Sequence, residues 1–532
     1  MSVDSPSAGS VQAEQALAKL AQVASEAGAA AYAVGGYVRD RLLGVATQDV
    51  DVMVTAGLRE TAERLAAQLP VSLVHLHEEQ PTIRLVFPDR SQFDLTLPRA
   101  GPTELPPGAA ATGAPAATGA PAATGAPAAT GAPEVISDLL TRDFTVNAMA
   151  VPVDAFLSDD WPGQVIDPTG GLRDLERRCL RATSARIWED DPVRLWRALR
   201  LAAQLGFELE QGTEAALREH AGLATAAAFE RIREELLPLL AHSDAAAWIA
   251  RAADLGLLLR ILPELNGLRS LVQGGYHHLD GWHHTLEVVR QIEDLARGAP
   301  GLSAQQQEQL RKLLAKPLAG GRPRLALLKL AGLLHDVGKP ETQTHDEQGR
   351  SHFYGHEKLS AAMARAAGER LRLGRREIQY LEMAAGLHMY PGLLAQQQEI
   401  SRRAAHRFFR KAGNRAPDVL VLAWADRLSA RGPAAAAEHI ERVQEVVRWL
   451  LGEWLAGGPL SHPQPPVGAR AIMRRYGLEG GPEVGRALRV LSRRHAEQPF
   501  KDAESAWVFL DRVVQRPDAR EATPQCDDGE GE

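Results

Sequence analysis

Two aspartates two residues apart, Asp49 and Asp51, lie in a short apolar stretch running to Val54. Side chains alternate along a strand, so both carboxylates would face one side of a sheet. Hard cations take oxygen ligands, and such a pair suits two Mg2+ ions. Asp94, inside Phe93–Leu97, is placed to add a third carboxylate from a neighbouring strand. A site of this kind clamps an in-line phosphoryl displacement: it activates an attacking hydroxyl and stabilises a leaving pyrophosphate. D-x-D alone is common on solvated strands. Here it follows Gly35-Gly36-Tyr37-Val38-Arg39-Asp40, an apolar strand ending in paired glycines and running into a helix. Backbone N–H groups can approach phosphate closely at such a junction, and Arg39 adds charge.

A second set of residues offers metal ligands: His284, His335-Asp336, His356, His388 and Asp426, all in helical-looking sequence. A lone histidine on an apolar helix is usually a satisfied core residue. Imidazoles and carboxylates in this number, from separate helices, can instead converge on a divalent transition metal or Mg2+. His284, His335, Asp336 and Asp426 form the expected core set, with His356 and His388 holding a second metal or a phosphate. An open coordination position would carry a water of lowered pKa.

The elements that must position these groups follow from the pattern. Residues 11–28 read as an amphipathic helix; 31–36, 50–54, 83–87 and 93–97 read as strands, and 37–43 as a helix. From 170 to about 515 apolar residues recur at three- and four-residue spacing. The fold class is therefore α+β at the front and all-α behind. A chain of 532 residues with 45% apolar composition supports several cores. Residues 101–133 are of low complexity, with the hexamer ATGAPA recurring over 109–133 and little to bury, so a flexible insert is expected there. Glycine-rich breaks near 273–275 and 431–433 mark boundaries, and the acidic end, 516–532, reads as disordered. Two cysteines far apart, Cys179 and Cys526, suit a reducing cytoplasm; neither a signal peptide nor a membrane span is expected. The net charge of −7 argues weakly against a nucleic-acid partner, yet Val467–His495 holds seven Arg against two Glu. Phosphate binding depends on local clusters, so Arg474, Arg475 and Arg486 are candidate RNA contacts.

G-G-x-V-R-D followed by D-V-D resembles the signature of the polymerase-β-type nucleotidyltransferases, in the branch of bacterial (class II) CCA-adding tRNA nucleotidyltransferases and poly(A) polymerases. Arg142-Asp143-Phe144-Thr145-Val146-Asn147-Ala148 resembles that branch's R-R-D-F-T-x-N-A, with Thr141 in place of the first Arg. The resemblance implies that Arg142, Asp143 and Asn147 bind the ribose and phosphates of the incoming nucleotide, beside Gly35, Gly36 and Arg39. Asp167-Pro168-Thr169-Gly170-Gly171-Leu172-Arg173-Asp174-Leu175 resembles a flexible family element. Asp190-Asp191-Pro192-Val193-Arg194, with Arg197 and Arg200, resembles the motif that reads the base edge in place of a template; Asp190 stands where Glu is usual and Leu201 where Phe is usual. A planar donor fork and an acceptor can pair with C or A, and the spacing of Asp191 and Arg194 would put both on one helix face. Phe229–Leu236 resembles a supporting helix. The order H…HD…H…H…D resembles the HD phosphohydrolase superfamily, and Arg474–Arg486 the family's C-terminal helical repeat.

The implied layout is a nucleotidyltransferase head over 11–153, a helical neck and body with the base-reading motif over 154–270, an HD domain over 271–431 and an RNA-binding helical tail over 432–515. The implied activity is template-independent addition of CCA to the tRNA 3′ end from CTP and ATP, with an HD-domain phosphohydrolase acting on phosphomonoesters or 2′,3′-cyclic phosphates. Relatives adding only CC, only A or a poly(A) tract share every motif quoted. A nucleotide phosphohydrolase working through the HD domain is the reading from another class.

Overall fold

The computed structural model describes residues 8–47, 49–77, 81–99, 133–158, 160–272, 279–318, 321–430 and 437–514. The expected flexible insert, apart from Pro133, the expected disordered end, Cys526 and the breaks at 273–275 and 431–433 lie outside them. The chain divides into two compact units: residues 1–235 with 254–257, and residues 236–253 with 258–532.

The first unit is built on one mixed sheet. Its strands are β1 (Ala31–Val34), β2 (Asp49–Val54), β3 (Ser72–His77), β4 (Thr82–Val86), β5 (Gln92–Thr96) and β6 (Ala150–Pro152), in the order β3-β4-β5-β2-β1-β6. All pairs are antiparallel except β2 with β5. That parallel register sets Asp51 beside Asp94 and Asp49 beside Gln92. Val50 and Val52 are buried while Asp49 and Asp51 point away from the core, so the alternation in D-V-D-V follows directly from one buried face. The helices are α1 (Ala8–Glu26), α2 (Gly36–Leu42), α3 (Leu58–Gln68), α4 (Pro133–Leu140), α5 (Arg194–Leu205) and α6 (Phe229–Ala241), the last crossing into the second unit, with short helical turns between them. Sequence reading missed β3 and β6. β6 is three residues long, too short to show alternation, and the β3 ladder with β4 is broken by a bulge at His75–His77.

The second unit is helical: α7 (Gly281–Arg297), α8 (Arg324–Leu334), α9 (His356–Arg370), α10 (Arg375–Leu387), α11 (Arg402–Ala412), α12 (Ala416–Ser429), α13 (Ala437–Leu455), α14 (Ala469–Tyr476), α15 (Pro482–Glu497) and α16 (Ala503–Val514), with further helices such as Ala304–Ala315 among them. α7 packs on α8 and α12, α10 on α8 and α9, and α13 on α12. α8, RLALLKLAGLL, is buried on every side. Lys329, in its middle, is wholly buried and bonds Glu293 of α7 at 3.0 Å and the His242 carbonyl. Among the described residues no helix is long and apolar enough to cross a membrane.

Candidate active site and metal centre

The sheet's open face lines a cleft of about 1590 Å³. Gly35, Arg39, Asp49, Asp51, Arg142, Asp143, Asn147, Asp191, Arg194, Arg197 and Arg200 all face it, so the residues expected at a nucleotide site meet in one place. Gly35 sits between β1 and α2 with φ +68°, where a side chain is strained. A Cβ there would lie 2.6 Å from Arg142 Nη1 and 3.5 Å from the Asp51 carboxylate. Glycine is what lets the backbone, the guanidinium and the carboxylates crowd together.

Asp49 and Asp51 point into the cleft from β2. Burial raises the Asp51 carboxyl above its ordinary value; Arg142 and Arg39 oppose this, while Asp94 and Asp49 add to it. Like charges pressed together in this way favour a divalent cation. Asp94 stands in register with Asp51, but its carboxylate is gripped by Arg84 of β4 through two bonds of 2.7 Å. Arg84 was not foreseen. It faces Asp94 directly across β4 and β5, a pairing visible only once the register is known. The fit to a metal therefore rests first on Asp49 and Asp51, with Asp94 held beside them.

Arg39 is buried and bonds Asp40 at 2.8 Å and the Asn147 side-chain oxygen at 2.6 Å. Its charge is thus shared rather than fully offered to phosphate. Asn147 donates to Asp143 at 3.1 Å, and Arg142 bonds Asp138 at 2.9 Å. Burial pushes the Asp143 carboxyl up, but Arg197, Asn147 and the Phe144 N–H outweigh it and hold it below its usual range. The Asp167–Leu175 element, which resembles the family's flexible element, is a hydrogen-bonded turn leading into a short helix. Asp167 accepts from the N–H groups of Gly171 and Leu172 at 2.7 and 2.9 Å, and Asp174 takes Thr145 Oγ1 at 2.6 Å and Arg181 at 2.8 Å. It braces the turn that carries Asn147.

The base-reading pair needs correction. Asp191 and Arg194 do not share a helix face. Asp191 has extended backbone (φ −152°, ψ 95°), and α5 begins at Arg194. The Asp191 carboxylate is closed by Arg231 of α6 through bonds of 2.9 and 2.7 Å, while Arg194 turns to the Ile187 and Thr141 carbonyls. Arg197 joins Asp143 at 3.1 Å to Glu235 at 2.9 Å, and Arg200 also bonds Glu235. Phe229–Leu236, foreseen as a support, thus supplies Arg231 to the cleft wall and Glu235 behind it. The missed signal was that charged residues four apart on α6 must point the same way.

In the second unit, ligand atoms of His284, His335, Asp336 and Asp426 lie within 4.8 Å of one another, as do those of Asp336, His356 and His388. Every expected ligand is present, and Asp336 belongs to both groups. His335, His356 and His388 each place Nδ1 2.6–2.7 Å from a backbone carbonyl three residues earlier. That bond fixes the tautomer and turns Nε2 inward, the usual support of a metal-ligating histidine. The Nε2 atoms of His356 and His388 face each other at 3.4 Å. Burial and neighbouring His335 lower His388 to about 3, so it stays neutral and able to ligate. For His335 burial works downward, but Asp336 and Asp426 prevail and raise it to about 10. The carboxylates thus create a strong demand for positive charge, which a divalent ion would meet. Lys339 adds an ammonium 2.6 Å from Asp336.

Of the tail arginines, Arg475 is engaged within the tail, bonding Asp511 at 2.7 Å and lying 4.8 Å over the Trp507 ring. Arg486 stands 3.6 Å from Glu483, and Arg474 is exposed without a partner among the described residues.

Three family models match: the poly A polymerase head domain over 31–181, a probable RNA- and SrmB-binding site of polymerase A over 206–268, and the HD domain over 281–431. The chain is 34% identical to the A-adding tRNA nucleotidyltransferase of Deinococcus radiodurans, over 70% of this chain and 78% of that protein. It is 33% identical to the CC-adding tRNA nucleotidyltransferase of Thermus thermophilus, over 90% and 93%. The solved Thermotoga maritima CCA-adding enzyme in complex with tRNA shares the fold, with a TM-score of 0.55, 18% identity and coverage of 94% and 95%. Since the likeness to the Thermus protein runs through nearly the whole of both chains, this protein belongs to the bacterial CCA-adding tRNA nucleotidyltransferase and poly(A) polymerase family, in its HD-domain-bearing form, and is a tRNA nucleotidyltransferase.

Proposed function

We propose that the chain builds the complete CCA end of tRNA from CTP and ATP without a nucleic-acid template. One observation carries this reading: the carboxylate strand, the Arg142–Asn147 turn and the Asp191–Arg194 segment all line a single cleft. Asp49 and Asp51 are the residues to hold two Mg2+ ions, which when bound polarise the reacting phosphate and neutralise the departing pyrophosphate. Arg84 keeps Asp94 aimed alongside. The glycine turn and Arg142 receive the triphosphate, and Asp143 and Asn147 face the ribose hydroxyls. Asp191 and Arg194 offer an acceptor and a donor fork to the edge of C or A, and Arg231 fixes the carboxylate until a base competes for it. Bonds to Asp143, Glu235 and Gln204 hold the Arg197 and Arg200 wall in place, so little reorganisation is needed when a nucleotide enters.

A narrower output has specific support as a second reading, because the two relatives above are an A-adding and a CC-adding enzyme. The test supplies tRNA lacking CCA, and tRNA ending in CC, with labelled CTP, ATP or both. Stepwise gain of C, C and A supports the first reading; CC alone or A alone supports the second; no incorporation refutes both. The HD centre supports a further activity, hydrolysis of phosphomonoesters or 2′,3′-cyclic phosphates. Two ligand groups meeting on Asp336 favour it, and release of phosphate that survives Asp51→Asn but not Asp336→Asn is its test.

A further inference from the structure

We propose that the exposed face of α11 is a docking surface for the phosphate backbone of tRNA, an inference that rests on the nucleotidyltransferase reading above. Arg403, Arg407, Arg410 and Lys411 fall at i, i+4, i+7 and i+8 of this helix, which puts them in one stripe about 12 Å long. All four are exposed, and the helix contains no carboxylate. The opposite face, Ala405, His406, Phe408, Phe409 and Ala412, is buried. His406 Nδ1 lies 2.9 Å from the Leu460 carbonyl, and Phe408 packs on Tyr390, so the basic stripe is held outward. Ser401 caps the helix start.

The charges of this stripe are left open. Arg407 and Arg410 have no ion-pair partner among the described residues. Arg403 is 3.9 Å from Glu497, which sits closer to Arg493 at 3.2 Å. Lys411 lies over the Tyr390 ring and keeps its charge. Several exposed arginines elsewhere in the same unit are paired: Arg290 with Glu287 and Asp294, Arg311 with Glu308, Arg350 with Asp346. A surface built only for solubility mixes signs. Four adjacent cations, of which only Arg403 has a carboxylate within 4 Å among the described residues, instead form a local field for a polyanion on a chain of net charge −7. The Arg-rich tail segment looks stronger in sequence, yet its Arg475 and Arg486 already have partners.

The test uses the full chain carrying Arg407→Glu with Arg410→Glu, and the milder Gln pair. Binding of fluorescent tRNA is followed across a salt series, alongside nucleotide addition. Each phosphate contact contributes about 0.7–0.9 to the slope of log affinity against log salt, so losing two should flatten it by about 1.4–1.8. The expected result is at least about tenfold weaker tRNA binding at moderate salt, with unchanged kcat at saturating tRNA and unchanged KM for CTP. Arg311→Glu with Lys312→Glu changes the net charge equally and should behave like the unaltered protein. Equal loss in that control, or unaltered affinity and slope in the α11 variants, overturns the proposal and leaves the stripe to an acidic protein partner. If the unaltered chain adds no nucleotide to tRNA, the parent reading fails, while the binding series still decides this face.

Discussion

Gly35→Ala isolates the crowding on which the nucleotide cleft depends. The backbone at Gly35 has φ 68° and ψ −133°, and holding a residue with a Cβ in such a conformation costs about 1–3 kcal/mol. The new Cβ would also meet Arg142 Nη1 at 2.6 Å, where ordinary contact begins near 3.4 Å. The guanidinium must retreat by 3.4 − 2.6 = 0.8 Å, against its bond to Asp138. A displacement of this order in a substrate-positioning group costs up to about 100-fold in rate, about 2.7 kcal/mol. Single-turnover nucleotide addition to tRNA and a thermal melt should therefore both respond: kcat/KM falls about 100-fold, and the first unit melts about 4–8 °C lower for a cost near 2 kcal/mol. Gly28→Ala is the internal control. Gly28 has φ +70° with nothing within 4 Å of where its new Cβ would sit, so it should lose stability and keep activity. Addition within twofold of normal in Gly35→Ala would refute the claim that this glycine exists to let Arg142 and Asp51 approach.

The two sites should separate cleanly: Asp51→Asn abolishes nucleotide addition and spares any phosphate release by the HD centre, and Asp336→Asn does the reverse, measured on the same preparations. Lys329→Met should destabilise the second unit by about 3–5 kcal/mol, because it strands Glu293 in the core; adding Glu293→Gln should recover much of the loss in denaturant unfolding, and no recovery would show the pair is not the cause. Titrating Mn2+ or Ni2+ into chelator-treated protein should raise its melting temperature, and His335→Ala should remove the rise. Arg231→Met should raise the KM for CTP and ATP about tenfold while leaving the KM for tRNA unchanged, since it releases the Asp191 carboxylate proposed above to meet the base; unaltered nucleotide KM values would remove Arg231 from the proposed specificity site.

Much of the catalytic face was legible because it depends on local periodicity. D-V-D on a strand with one buried face can only present both carboxylates together, and the paired glycines mark the tight approach. The HD ligands were legible for a different reason: six residues of ligating type in a fixed order are improbable without a shared centre, and the structure brings all six together. What stayed hidden was pairing across elements. Arg84 meets Asp94 through strand register, and Arg231 meets Asp191 through helix docking, at separations of 10 and 40 residues. Neither has a local signature. Asp191 and Arg194 misled because i, i+3 spacing was read as helix, whereas Pro192 follows Asp191 and favours extended backbone there. Composition likewise does not show that Arg475 of the tail is held by Asp511 and Trp507.

The direction of the HD helices explains how one buried centre can gather so many ligands. His335 and Asp336 follow the last residue of α8, His388 follows the last residue of α10, and Asp426 lies in the final turn of α12. Three helix C-termini therefore converge on the centre, where their partial negative charge favours a cation, while His284 and His356 reach it from the first turns of α7 and α9. Away from the ligands on the same helices, Arg324 of α8, Tyr380 of α10 and Asp418 of α12 form a buried cluster, with Arg324 bonding Asp418 at 2.7 Å and Tyr380 donating to it at 2.9 Å. Arg324 and Asp418 lie in the first turn of their helices, and Tyr380 lies two turns before His388. Asp418 and Asp426 are eight residues apart on α12, about 12 Å along its axis. The cluster thus fixes the three rods at a distance from the ligands they carry. Removing Tyr380's hydroxyl by Tyr380→Phe leaves the ligands untouched but loosens this tie. It should weaken divalent-metal affinity by severalfold in the melting titration without abolishing it. Affinity identical to that of the unaltered protein would mean the ligands are positioned by their own backbone-bonded Nδ1 atoms alone.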